Sequence, residues 1–123
     1  MTFIKNYQDL IVWQKAMDLA ILLYDVSRSW PKEERFQLIS QLRRSAVSIP
    51  SNIAEGHARK SRAEFLNFLS IAKGSRAEIE TQILLAQRLS YIENDKTVQE
   101  ILGLSEEVGR LLNGLIKSLK IKQ

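Results

Sequence analysis

The sequence predicts an all-α fold, an up-and-down antiparallel four-helix bundle with its second helix kinked at Pro50. Three observations predict it. Apolar residues recur at alternating spacings of three and four in four separate stretches, the repeat that lines one side of a helix. Helix-stop and helix-start residues separate those stretches, and connections this short make consecutive helices antiparallel. No stretch alternates apolar and polar residues as a half-buried strand does. A chain of 123 residues, 45% of them hydrophobic, suits one domain over residues 1–123.

The first helix is expected from about Asp9, a candidate N-cap, to Ser29, where Trp30-Pro31 stops it. It carries two apolar stripes. Leu10, Trp13, Met17, Ile21 and Tyr24 form one, and Val12, Ala16, Leu19, Leu23 and Val26 the other. Two stripes are more than a bundle helix needs, so one is available to a thick core or to another subunit. The second helix is expected from about Lys32 to His57, with Pro31 before it and Glu33 and Glu34 in its first turn. Its seam is Ile39, Leu42, Ala46, Ile49 and Ile53. Pro50 has no N–H for the Ala46 carbonyl and crowds it, so a kink is expected within one continuous helix.

The third helix is expected from Arg62 to about Tyr91, opened by the capping box Ser61-Arg62-Ala63-Glu64. Its seam runs Phe65, Phe68, Ala72, Ser75, Ile79, Gln82, Ala86 and Leu89, widened by Leu69, Ile83 and Leu84. Gly74 costs about 1 kcal/mol inside a helix, and close approach of a neighbouring helix would account for it. The fourth helix is expected after Asn94-Asp95-Lys96, with Thr97 and Glu100 as a second capping box, and to run to about Leu119. Val98, Ile101, Ser105, Val108, Leu112, Leu115 and Leu119 form its seam, and Lys117, Lys120 and Lys122 suit its C-terminal end.

The formal net charge is +4, and its placement says more than its size. Residues 35–76 hold eight basic residues against two acidic ones, a net of +6, and the rest holds ten against twelve, a net of −2. A basic middle points to an anionic partner, or else to a solvated surface. There is no cysteine, so disulfides and thiolate metal sites are excluded. The N-terminal residues lack the pattern of a secretory signal, and no apolar run could span a bilayer; a cytoplasmic location is expected.

The most informative stretch is Gln41-Leu42-Arg43-Arg44-Ser45-Ala46-Val47-Ser48-Ile49-Pro50-Ser51-Asn52-Ile53-Ala54-Glu55-Gly56. Around it stand Asp9-Leu10-Ile11-Val12-Trp13-Gln14-Lys15-Ala16, Arg59, Glu64-Phe65, and Ala72-Lys73-Gly74-Ser75 with Glu78. Together these closely resemble the 23S ribosomal-RNA intervening-sequence family of four-helix bundle proteins. The resemblance implies a homopentamer. It also implies kinship with the accessory variability proteins of diversity-generating retroelements, which bind nucleic acid and a reverse transcriptase. It implies no settled activity for the intervening-sequence members themselves. Ser45 and His57-Ala58 depart from the family pattern.

Gln41, Ser45, Ser48, Asn52 and Glu55, continued by Arg59, form a polar line one residue out of phase with the second helix's seam. The line is read as structural, satisfying backbone groups near the proline or fixing register between helices or subunits, with nucleic-acid contact as the alternative. Arg59, Lys60 and Arg62 cluster at the turn into the third helix, where free backbone donors favour a phosphate. Arg43, Arg44, Lys73 and Arg76 are the supporting cations. Phe65 and Phe68 read as core, so phosphate contact is expected rather than base readout. The chain has no phosphate-binding loop, dinucleotide fingerprint or zinc-protease helix. Its one histidine, His57, has Ala54 rather than glutamate three residues earlier, unlike di-iron bundles. Glu55, Glu78 and Glu80 read as ion-pair partners. The expectation is a non-catalytic, cofactor-free oligomeric accessory protein that binds RNA or DNA. The alternative is a protein-interaction scaffold without that role.

Overall fold

The computed structural model describes residues 6–121. The reading of the first five residues and the place of Lys122 fall outside them. Among these residues lie four α-helices: α1 (Ile11–Ser27), α2 (Leu38–His57), α3 (Arg62–Arg88) and α4 (Asp95–Ile121). α1 packs against α2 and α4, and α3 against α2 and α4, while the diagonal pairs make no close approach. That is the ring of an up-and-down bundle.

Leucine, isoleucine and valine side chains fill the centre. Leu19 and Leu23 of α1 meet Leu42, Ile49 and Ile53 of α2, Leu69, Ile79 and Ile83 of α3, and Ile101, Val108 and Leu112 of α4. The expected α4 seam is buried from Val98 through Leu112. On α1 only the stripe of Val12, Ala16, Leu19 and Leu23 is buried, with Ala20 and Ser27 beside it. The other stripe is only partly covered: Leu10 and Trp13 pack against the core, while Met17 and Ile21 are exposed. α2 runs unbroken through Pro50, which is itself buried.

Several expected helix ends move. Asp9 does not cap α1; it closes a 3-10 turn, Tyr7–Asp9, capped by the side chain of Asn6. Leu10, extended and without a side-chain cap, leads into the helix. The second helix does not start at Lys32. Residues Lys32–Glu34 make a separate 3-10 turn, and α2 begins at Leu38, whose N–H donates to Oε1 of Glu34 at 3.3 Å. Ser61 caps α3 as expected, accepting from the Glu64 N–H at 3.0 Å. α3 stops at Arg88 rather than Tyr91 because Ser90 turns left-handed, with φ of 65°. The Tyr91 N–H then bonds back to the Ala86 carbonyl at 2.9 Å, a Schellman closure. Leu89 is therefore exposed rather than in the seam. Asn94, not Thr97, starts α4: its Oδ1 accepts from the Lys96 N–H at 2.8 Å.

A close helix contact joins the end of α2 to the start of α3. A Cβ added at Gly56 would lie 2.9 Å from both Cδ1 of Phe65 and Cβ of Phe68. Glycine is needed there because the helices approach so closely. Gly74 differs from its expectation: nothing lies within 4 Å of its Cβ direction, so no neighbouring helix of the chain accounts for it.

Candidate functional site

The basic residues of the middle of the chain divide into those used inside the bundle and those left outside it. Arg43 is used inside. Its Nε donates to Oγ of Ser27 at 3.1 Å and its Nη2 to the Tyr24 carbonyl at 3.1 Å. Its guanidinium also covers the Tyr24 ring, 4.6 Å from the centroid. The last carbonyls of a helix lack intrahelical donors, and a cation there opposes the negative end of the dipole. Arg43 thus closes α1 from α2.

Arg76 is used inside as well. Its Nη1 pairs with Oε2 of Glu80 and donates to the carbonyl and hydroxyl oxygens of Ser105, at 3.2 and 3.3 Å. The fully buried Ser105 hydroxyl donates in turn to Oε2 of Glu80 at 3.1 Å. Gly109 makes room for this clamp between α3 and α4, since a Cβ there would stand 2.7 Å from the guanidinium.

Arg59 is intermediate. It pairs with Glu55 at 2.8 Å and lies over the Phe68 ring at 4.8 Å, yet remains on the surface. Arg44, Lys60, Arg62 and Lys73 are exposed. Among the described residues these four have no ion pair or side-chain hydrogen bond.

Helix geometry sets the spacing. Arg44 and Arg59 are fifteen positions apart on or just past α2, which is about 22 Å along the axis. Arg44 therefore lies toward one end of the bundle, and Arg59, Lys60 and Arg62 lie at the other. Lys73 faces a third side, in a groove of about 390 Å³ between α3 and α4 that Lys120 also lines. The expected cations do not converge on one point. They mark a surface on the α2–α3 hairpin and its flank.

The middle of the α2 polar line, Ser45 and Ser48, bonds across to α3. The Ser75 hydroxyl donates to Oγ of Ser48 at 2.7 Å, and the Ser45 hydroxyl to Oε1 of Glu78 at 3.2 Å. The Asn52 amide donates to the Ser48 carbonyl at 2.8 Å and to its hydroxyl at 2.9 Å. It therefore serves Ser48 and not Ala46, whose carbonyl Pro50 leaves without its usual donor. Gln41 lines a polar groove of about 410 Å³ between α2 and α3 with Arg44, Glu78 and Gln82. Among the described residues no group of three or more histidine, aspartate or glutamate side chains is placed to hold a metal ion. None of their helices is long and apolar enough to cross a membrane.

Two apolar surface features stand apart from the cations: the first agrees with the spare second stripe expected on the first helix, and the second is not legible in the sequence. That stripe of α1 forms an apolar groove of about 560 Å³ with α2, lined by Trp13, Met17, Ile21, Tyr24, Val47 and Pro50 among others. Ile21 is 59% exposed in it. The other is Phe36, 86% exposed beside Arg35. Counted back from Ile39 at three residues, Phe36 looks like part of the α2 seam. The break before Leu38 puts it outside instead. The sequence carries no signal for this, because the break itself is not legible there.

The chain matches the family model described as 23S rRNA-intervening sequence protein over residues 8–114. It is also similar to a crystal structure described as a protein with unknown function from the S23 ribosomal protein family of Bacteroides thetaiotaomicron. The two share 31% identity with a TM-score of 0.78, over 87% of this chain and 96% of that one. None of the curated proteins compared matches the chain.

Proposed function

We infer that this chain, which belongs to the 23S rRNA-intervening sequence protein family, is a non-catalytic cytoplasmic accessory protein that binds RNA or DNA by its backbone phosphates. The observation that carries the reading is the set Arg44, Lys60, Arg62 and Lys73, exposed cations that the fold leaves unpaired among its described residues. Cations already neutralised inside a bundle gain little from a phosphate; unpaired ones gain by releasing condensed counterions from the nucleic acid. Arg59 sits beside them and can exchange Glu55 for a phosphate, since the pair is exposed. Arg43 and Arg76 act indirectly, by holding α2 and α3 in place.

Self-association is part of the same proposal. The apolar groove between α1 and α2 offers a surface for a second copy, and the family resemblance suggests five subunits. A ring would repeat each cation and enlarge a modest field. A protein partner, such as a reverse transcriptase, would compete for or extend that apolar surface. The second reading, a scaffold without nucleic acid, draws on this groove alone.

The test is a salt titration of binding to structured RNA and duplex DNA, comparing wild type with Lys60→Glu/Arg62→Glu. Each phosphate contact removed should flatten the log–log slope by about one unit. An unchanged slope and affinity would take this turn out of the interface. No binding by wild type at low salt would leave the scaffold.

A further inference from the structure

An exposed aromatic ring among three arginines has no task in the fold. Phe36 stands between the second 3-10 turn and α2, 86% exposed. The groove beside it, about 540 Å³, is lined by Tyr24, Arg35, Phe36, Ile39, Arg43 and Arg44 among others, and no carboxylate lines it. Two aromatic rings and three guanidinium groups without an acid complement a planar base joined to an anionic phosphate. Pockets of a few hundred Å³ suit ligands of that size.

We propose that this groove takes one unpaired nucleotide of a single strand, its base stacked on Phe36 and its phosphates held by Arg35 and Arg44. The proposal rests on the nucleic-acid reading above and names the part of the ligand that reading leaves open. Arg43 is tied to Ser27 and the Tyr24 carbonyl and forms a fixed wall, its guanidinium 4.6 Å from the Tyr24 ring centroid. Arg44 makes no such bonds among the described residues and lies exposed at the junction of this groove with the polar groove of α2 and α3. The Arg35 guanidinium lies over one face of the Phe36 ring, 5.9 Å from its centroid, so a base would stack on the other face with that cation close enough to reach its phosphate. Every base has a π face, so stacking tolerates any sequence. In a duplex both faces of an internal base are covered by its neighbours, so the ring distinguishes single strands from double ones.

The rival occupant is the α1–α2 groove of a second copy, which an exposed phenylalanine could enter. That insertion would bring Arg35 with the ring to a groove that holds one carboxylate, Asp25, beside Arg28, so the groove offers little net negative charge to it. The surroundings of Phe36 fit a polyanion better.

The experiment is fluorescence anisotropy at low salt on the full chain, with Phe36→Leu as the variant. Leucine keeps an apolar side chain at an exposed position and removes the π face. The probes are a thymidine single strand and a strand of equal length in which tetrahydrofuran replaces every base. Wild type should prefer the base-bearing strand by about 5- to 30-fold. F36L should lose that preference while its salt slope, set by phosphates, stays the same. Equal wild-type affinity for both strands overturns the proposal, as does an F36L protein that keeps the wild-type preference. An F36L protein that sediments as a smaller assembly and weakens equally on both strands overturns it too, making Phe36 a contact between copies. In all three results salt-dependent binding survives, so the phosphate reading stands. Absence of wild-type binding to either strand at low salt removes both.

Discussion

Replacing Gly56 with alanine should separate packing from helix propensity at the turn that carries Arg59, Lys60 and Arg62. In an open helical site the change stabilises by about 1 kcal/mol, because glycine has more backbone freedom to lose. At Gly56 the new methyl would sit 2.9 Å from Cδ1 of Phe65 and 2.9 Å from Cβ of Phe68. The Phe65 ring meets His57 edge-on at 6.0 Å, and the Phe68 carbon is bound directly to the α3 backbone, so neither atom yields by a simple rotation. Overpacking of this kind costs about 1–3 kcal/mol. Taking the upper part of that range, the net effect is a loss of roughly 1–2 kcal/mol. Gly74→Ala is the control, since nothing lies within 4 Å of its added Cβ, and it should gain about 1 kcal/mol. For a domain of this size the two variants should differ by roughly 10 °C in Tm, followed by circular dichroism. If Gly56→Ala melted at or above Gly74→Ala, the close approach of α2 and α3 would not govern this turn.

Ser90→Gly should raise stability by about 1 kcal/mol in urea denaturation, because Ser90 holds a positive φ that costs a residue with a Cβ; no gain would mean the left-handed closure is not strained. The Tyr91 hydroxyl donates to Glu34 at 2.7 Å, and that bond first, with burial and the charges of Glu34 and Glu33 adding to it, raises its pKa above the usual 10.0. A raised folded pKa makes its stabilisation complete below about pH 10 and lost as pH climbs through the folded value. Wild type should accordingly lose its advantage over Tyr91→Phe between pH 9 and strongly alkaline buffer; a pH-independent difference would disprove the linkage. Under the proposed self-association, Ile21→Lys should leave the circular dichroism unchanged and reduce the sedimenting size, because Ile21 is exposed in the apolar groove; an unchanged size would remove this groove from the proposal.

What the sequence made legible was local and periodic. The seams of Leu42–Ile53 and Val98–Leu112 follow from spacing alone, since a 3.6-residue repeat puts those side chains on one face. The Ser61 cap follows from a four-residue pattern. The break between Lys32 and Leu38 did not, because Pro31, Glu33 and Glu34 suit a 3-10 turn as well as a first α turn. Its stabilising contact is long-range: Glu34 accepts from Tyr91, 57 residues away, as well as from Leu38. The end of α3 is hidden from the sequence for a related reason. Leu89 and Tyr91 continue an apolar pattern, but the left-handed Ser90 returns Tyr91 toward Glu34 and toward Trp30, whose ring centroid lies 5.9 Å away. Periodicity on α1 correctly gave two stripes but could not say which faced inward. That depended on where α2 and α4 packed.

Charge is the case where composition and structure diverge most. Counting gives residues 35–76 a net of +6, as if each cation were equally available. The fold makes them unequal. Arg43 is spent on the carbonyl end of α1 and Arg76 on Glu80 and Ser105, so their guanidinium groups strengthen the bundle more than the outer field. Gly109 makes the second role visible, since its missing side chain leaves the space that the Arg76 guanidinium fills. The exposed remainder lies at the two ends of α2 and on the α3–α4 side, farther apart than a single phosphate could bridge. A flexible strand can meet such points in turn, whereas a rigid small anion can meet only one. Separation along a helix about 30 Å long therefore argues for an extended polyanion as the partner, over an isolated nucleotide or phosphate.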